Sequence, residues 1–424
     1  MKLLAAAGRL SLAASTLAAE RLALAAFGRQ SRRPLPAVLG DAAEAASAEL
    51  GEMSEVLHNA GGELAGSVRE WTADLVHEDP GRLSRAARST QEVLSLLRPD
   101  DDGDCARQEA RSKLDVFWQV RRARSAHGMR LDGRPFDLEP ALERALEHDD
   151  EFRFWALEGL GHDYAKGFFE SGLTPRALLR HPALEQLDTG DLAALHAGLG
   201  LATADFVAGG LHRRAGDGRF HAATSRFAEV CLNNAASEAQ AQMALEALGL
   251  VVSVFRSPLR QGFEMALGSK PRLRRLYWHG AGRGFYFGGS QLLPGYGSFS
   301  RAVLNTTERA PDVSCRLDAW AGLAYAFAMV NAKTPPVIAA ALVKQAPALE
   351  KSADLRLGLG TGLAGARAMM RLSGRSSLAA RLLDETESLM PRRLWRQMML
   401  EPDERLRRQG PEHDLYGALP WGGG

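Results

Sequence analysis

Cysteine is scarce in this 424-residue chain: Cys105, Cys231 and Cys315 stand far apart, none with a second cysteine or a histidine at ligand spacing. An odd, scattered set excludes a disulfide framework and a zinc site and predicts free, buried thiols in a reducing compartment. Lysine is also rare, at seven of the 52 basic positions. Net charge is almost absent. The 52 basic and 51 acidic residues leave +1, so no global field draws the chain to nucleic acid or an anionic membrane. No uncharged apolar run reaches the ~18 residues of a spanning helix. There is no Walker loop, nucleophile elbow, H-E-x-x-H or paired-cysteine motif, so neither a cofactor nor a metal is expected.

What is present is apolar residues at helical spacing. Residues 1–33 carry six basic residues against the single acid Glu20 and form a basic, alanine-rich helix. A signal peptide would need Ser11–Ala19 as its core, which is short and leads into more helix. The reading preferred is a helix that packs on the body. An amphipathic helix in peripheral contact with a membrane stays open as an alternative. Residues 34–98 form a helical N-terminal region broken at Gly51, Gly61-Gly62 and Asp79-Pro80. Residues 99–106 are an acidic linker whose consecutive aspartates lack the alternation of a calcium loop. Residues 107–150 hold a helix over Gln108–Ala126 and a loop over Gly128–Pro140 that lead into the next region.

From 151 to 390 a small-x-small signature recurs: Gly159-Leu-Gly161, Gly198-Leu-Gly200, Ala239-Gln-Ala241, Gly280-Ala-Gly282, Gly322-Leu-Ala324 and Gly358-Leu-Gly360. Successive spacings are 39, 41, 41, 42 and 36 residues. Glycine inside a helix costs about 1 kcal/mol relative to alanine, so the recurrence serves something other than helix propensity. Small residues on one face let helix backbones approach closely. The pattern predicts an all-α fold of six tandem helical-hairpin repeats of about 40 residues, α-solenoid-like, with residues 154–169, 191–208, 273–289 and 316–332 helical. Thr174-Pro175, Thr334-Pro335 and Ser376 are expected to open the second helix of their units, with threonine as N-cap. A basic helix and a Gly/Pro-rich tail close the chain over 391–424. Its arginines, Arg392 to Arg408, and those from Arg121 to Arg130 read as solvated faces.

Gly360-Thr-Gly-Leu-Ala-Gly365 fits the dinucleotide fingerprint by letter, but no strand precedes it and its glycines fall on the repeat position. Chemistry concentrates in the fourth repeat, with Trp278, His279, Arg283 and Tyr286. His279 and Arg283 lie at i, i+4 on one helix face. Flanked by glycines, Arg283 is expected to keep one exposed side, facing a groove or pairing with Asp318 of the next repeat. In the first repeat, Glu158 and His162 share the same spacing and are candidates for an acid–base pair. An apolar groove with one cation suits a mostly hydrophobic ligand carrying an anionic end. The alternative is that these groups are inter-repeat hydrogen bonds and salt bridges.

Gly280, Gly282 and Arg283, followed by Asp318, Trp320, Gly322 and Ala326, carry a G-x-G-R-aromatic segment and then D-x-W-x-G-x-x-x-A. This resembles a bacterial family of unknown function associated with enediyne polyketide biosynthesis gene clusters, over roughly residues 150–370. Ala324 stands where that family has glycine. The resemblance implies a cytoplasmic accessory protein of secondary-metabolite biosynthesis and brings no catalytic residues. Two expectations follow: a helical-repeat binding or scaffold protein for a hydrophobic intermediate or a partner protein, or an enzyme acting on a polyketide-derived substrate. The groove candidates are Trp278, His279, Arg283, Tyr286, Glu158, His162, Asp318 and Trp320.

Overall fold

The structure, a computed structural model, describes residues 138–409 apart from 148–149, 213, 237–239 and 288–297, together with six positions between Cys105 and Val116. Every described residue belongs to one of the two units into which the chain divides, Ser84–Gly424. The expectations for residues 1–98, for the Arg121–Arg130 cluster and for the tail beyond Gln409 lie outside the described residues.

Among the described residues the fold is all-helical, with no strand. Six long helices hold the small-residue segments or follow them directly: α2 (Asp150–Glu170), α3 (Thr189–Gly209), α5 (Gln242–Phe255), α7 (Pro271–Phe287), α9 (Val313–Asn331) and α12 (Ala353–Leu372). Before them stands α1 (Leu138–Leu146), and between them α4 (Asp217–Asn233), α6 (Arg260–Leu267), α8 (Ser298–Arg309), α10 (Pro335–Lys344) and α11 (Ala346–Lys351). After α12 come α13 (Ser376–Leu389), α14 (Arg392–Trp395), a π-helical turn at Arg396–Leu400 and α15 (Glu401–Gln409).

Each long helix packs on the next, in the order α2, α3, α5, α7, α9, α12. They run in the same direction. Arg153 pairs with Asp191 near the starts of α2 and α3 at 3.1 Å, and Phe169 stacks on Phe206 near their ends. From α7 to α9 the same holds, with Arg274–Asp312 at the starts and Tyr286–Asn331 at the ends. Helices α3 and α9 are apolar on all sides and buried nearly all round. By length and composition α3 could cross a membrane, although it contains charged residues; most of it is buried among its neighbours.

The glycines sit where the long helices cross. A methyl group placed on Gly198 would overlap the carbonyl oxygen of Glu158, and one on Gly282 or Gly322 would overlap that of Ala319 or His279. The backbones touch with no side chain between them, and this contact offsets the helix-propensity cost of glycine. Gly360 falls mid-helix in α12, where its Cβ position is filled by Pro402 of α15, so the fingerprint residues serve helix packing.

Capping differs from expectation. Asp188, Asp312 and Ser352 cap α3, α9 and α12 by accepting from the N–H groups of Asp191, Cys315 and Leu355 at 2.8, 2.8 and 3.1 Å. The expected caps do not. Thr334 does stand at the N-cap of α10 with Pro335 in its first turn, and Ser376 does open α13, but the Thr334 hydroxyl turns back to donate to the Asn331 carbonyl and Arg375 holds the N-cap position of α13. Thr174-Pro175 opens no α-helix at all. Two short 3-10 turns stand there, Leu178–Arg180 and Pro182–Leu184, pinned because Asn234 accepts from Leu178 N–H and donates to the Pro175 carbonyl. Helix α1 begins at Leu138, with Pro140 in its first turn, so the expected loop ends earlier than Pro140. Arg396 and Arg408 are exposed beside Glu401 and Glu404, a solvated face as expected.

Candidate functional site: a polar cluster beside an apolar cleft

His279 and Arg283 project from the same face of α7, as their spacing predicts, and that face turns toward α5. There Glu246 meets both: one carboxylate oxygen accepts from Arg283 Nη1 and the other pairs with His279 Nδ1. All three are buried. The expected exposed side of Arg283 is absent because α9 covers Gly282 and α5 covers Gly284, leaving the arginine 8% exposed. Its acid is Glu246 of the preceding long helix, and the expected partner, Asp318, instead takes both Nε and Nη2 of Arg275, at 3.1 and 2.9 Å. Burial pushes the Asp318 carboxyl up against the pull of Arg275.

Tyr325 of α9 completes the wall. Its ring lies 5.5 Å from the Arg283 guanidinium and 5.9 Å from the His279 ring. Glu158 of α2 reaches the same region. It is 8% exposed and makes no hydrogen bond or ion pair with any described residue. His162, one turn further on, turns to Asp163 at 3.1 Å, so the expected acid–base pair of Glu158 and His162 does not form.

The two glutamates are held apart electrostatically. Burial alone would raise the Glu246 carboxyl, but Arg283 and then His279 more than offset it and hold the group below the usual carboxylate range. Burial raises Glu158, Arg283 only partly compensates, and the negative charge of Glu246 adds to the rise. The two acids are thus pushed in opposite directions.

Beside the cluster lies a narrow cleft lined by Phe154 and Trp155 of α2, Arg283 and Phe287 of α7, and Tyr325, Ala326, Met329 and Val330 of α9. Its free volume is about 10 Å³, room for about one water molecule. Three of the remaining candidates support this wall from outside the cleft. Trp278 is fully buried edge-on against Tyr277, Trp320 packs over Gly358, and the Tyr286 hydroxyl accepts from Asn331 Nδ2 at 2.8 Å. No group of three or more metal-ligating side chains occurs among the described residues.

Sequence reasoning missed Glu246, Tyr325 and the apolar lining. A signal for Glu246 existed: it is the lone charge in the apolar run Met243-Ala-Leu-Glu-Ala-Leu-Gly-Leu-Val-Val252, and a buried acid demands a cation. No family model matches the chain, and neither a curated protein nor a solved structure matches it.

Proposed function

We propose that this chain is an accessory protein of bacterial secondary-metabolite biosynthesis, of the enediyne polyketide type, acting in the cytoplasm as a helical-repeat binding protein for a hydrophobic intermediate. The observation that carries the binding reading is the cleft, where Phe154, Trp155, Phe287, Met329 and Val330 supply apolar surface beside a small set of convergent polar groups. The biosynthetic setting rests on the resemblance around Gly280–Arg283 and Asp318–Ala326. Six hairpin repeats over residues 151–390 are the reading that best accounts for long helices recurring at about 40 residues and each packing on the next in one direction. A scaffold holding a partner protein is the variant of this reading in which the outer helices make the contact.

The enzyme reading has one observation of its own. Two neighbouring buried carboxylates whose surroundings push them in opposite directions are an arrangement that acid–base chemistry can use.

The experiment is a cleft-narrowing substitution, Val330→Phe, with Met329→Phe as a second variant, introduced into the producing strain. Both residues are buried, so each variant should lose some thermal stability; loss of the metabolite while the purified protein remains folded at the growth temperature is expected. Full production from both stable variants would overturn the binding reading. Under the enzyme reading, Glu158→Gln would instead accumulate a precursor while the cleft still binds it.

A further inference from the structure

We infer that the edge formed by the C-terminal ends of α2, α3, α5 and α7 docks on an anionic lipid surface, its phenylalanines entering the interface and its arginines meeting the headgroups. This is independent of the cleft and of the ligand read from it.

Among the described side chains five phenylalanines are not buried: Phe168, Phe169, Phe206, Phe255 and Phe287. Each stands in the last turn of its helix, α2, α3, α5 or α7. Phe206 and Phe255 are 39% and 50% exposed, and Leu173, just beyond α2, is 60% exposed. Because these helices run in one direction and each packs on the next, their last turns share an edge. Phe169 stacks on Phe206 with ring centres 4.2 Å apart, Asp205 of α3 meets Arg256 just after α5, and Gly284 of α7 abuts Ser253 of α5. Single exposed apolar residues need no explanation, but a row of them brought together by the fold marks a contact surface.

Charge selects what that surface meets. The acids beside the rings are each taken by a cation, Glu170 by Lys166 at 3.5 Å and Asp205 by Arg256 at 2.9 Å. Three arginines there make no ion pair. Arg226 lies over the Phe206 ring at 4.9 Å, Arg219 donates to the Gly210 carbonyl after α3, and Arg214 stands between α3 and α4. Asp217, which starts α4, is the acid left unpaired beside them. Glu229 is also unpaired but lies further back, since α4 runs from Gly210 at this edge toward His196 near the start of α3. Arg219 and Arg256 offset the partial negative charge of the helix ends, and Arg226 and Arg214 are surplus to that task. With a net charge of only +1, the chain as a whole supplies no such attraction, so it is local to this edge. Apolar side chains fringed by arginine are what an interface with negative headgroups takes up.

The test is co-sedimentation of the full chain with vesicles of phosphatidylcholine, alone or with phosphatidylglycerol at about 3:1. The unaltered chain should prefer the anionic vesicles. Replacing both Phe206→Ser and Phe255→Ser should weaken that partition by roughly tenfold or more. Arg226→Ala should weaken it about fivefold and leave the neutral vesicles unaffected. Val313→Ser removes an exposed apolar residue at the start of α9, on the opposite edge, and should change nothing. Circular dichroism checks folding, and Phe255→Ser alone serves should the double variant unfold. No sedimentation of the unaltered chain with anionic vesicles would overturn the inference. So would unchanged partition in the folded phenylalanine variants, which would place any lipid contact elsewhere in the chain. Loss of a dimer or of a co-purifying protein in those variants, with vesicle uptake intact, would overturn it too and assign the edge to a protein contact.

Discussion

Among the described residues, buried arginines meet an acid at two places along the row of long helices, and only one of these adjoins a cleft. At the far end of the row, Arg367 of α12 is fully buried: Nη2 donates to the Met399 carbonyl, which the π-helical turn supplies, and lies 3.4 Å from Asp403. Arg371 shares the same acid at 2.8 Å. Two cations meet one carboxylate, and the surroundings are sealed by Met399 and α15. In the middle of the row two acids, Glu158 and Glu246, stand beside Arg283 and His279. Buried arginine is thus part of the frame in both places. What sets the middle apart is a second buried acid, Glu158, and a cleft beside the cluster.

The largest effect expected is common to both clusters. Glu246→Gln and Asp403→Asn should each cost about 3–5 kcal/mol in urea unfolding, because each strands a buried guanidinium. A cost below about 1 kcal/mol at either site would show that its pair is not structural.

A further buried cation sharpens the comparison, because an ammonium can shed its proton and a guanidinium cannot. Lys113 is fully buried, 3.6 Å from Glu109 and with its nitrogen 3.7 Å from the centre of the Tyr286 ring. Burial outweighs Glu109 and lowers its pKa to about 8. Between that value and the unfolded value of about 10.4, the unfolded chain binds a proton that the folded chain refuses. Stability should therefore rise with pH across this window, by up to about 3 kcal/mol. The rise should vanish in Lys113→Met, measured as the difference between the two proteins at pH 8 and pH 10. An identical pH profile in both would refute it.

The smallest effect marks this second acid. Glu158→Leu should leave stability within about 1 kcal/mol of the unaltered protein or raise it, since it removes a buried polar group that no described residue satisfies. A loss of several kcal/mol would assign Glu158 to the frame.

The crossings are legible in the sequence because glycine recurring inside a helix is unfavourable unless a neighbouring backbone needs the room. Gly282 and Gly322 lie at backbone contacts, and the four segments expected to be helical fall in α2, α3, α7 and α9 apart from residues 288–289, outside the described set, and Ala332, which follows α9. The short second helices are harder to read, since Thr174-Pro175 carries a good start signal that Asn234 overrides from 59 residues away. At the site, position within one helix is readable and pairing between helices is not. His279 and Arg283 do share a face, but which acid meets them depends on α5 rather than α9 lying against it. Asp318 is the more obvious partner in sequence because it belongs to the resembling segment; Arg275, one turn before His279, already claims it.

The glycine crossings also fix where α7 and α9 are held in register. Between most packed helices, interdigitating side chains can re-pack in small steps, so that one helix slides along another. Where Gly282 rests on Ala319 and Gly322 on His279, backbone lies on backbone and there is nothing to re-pack. Each crossing therefore fixes the register of α7 against α9, because a slide would drive backbone into backbone. Met329, Val330 and Phe287 lie beyond the crossing toward the helix ends, while Arg283 lies beside it. The ion cluster is thus held in register by the crossing it adjoins, while the apolar lining lies away from it.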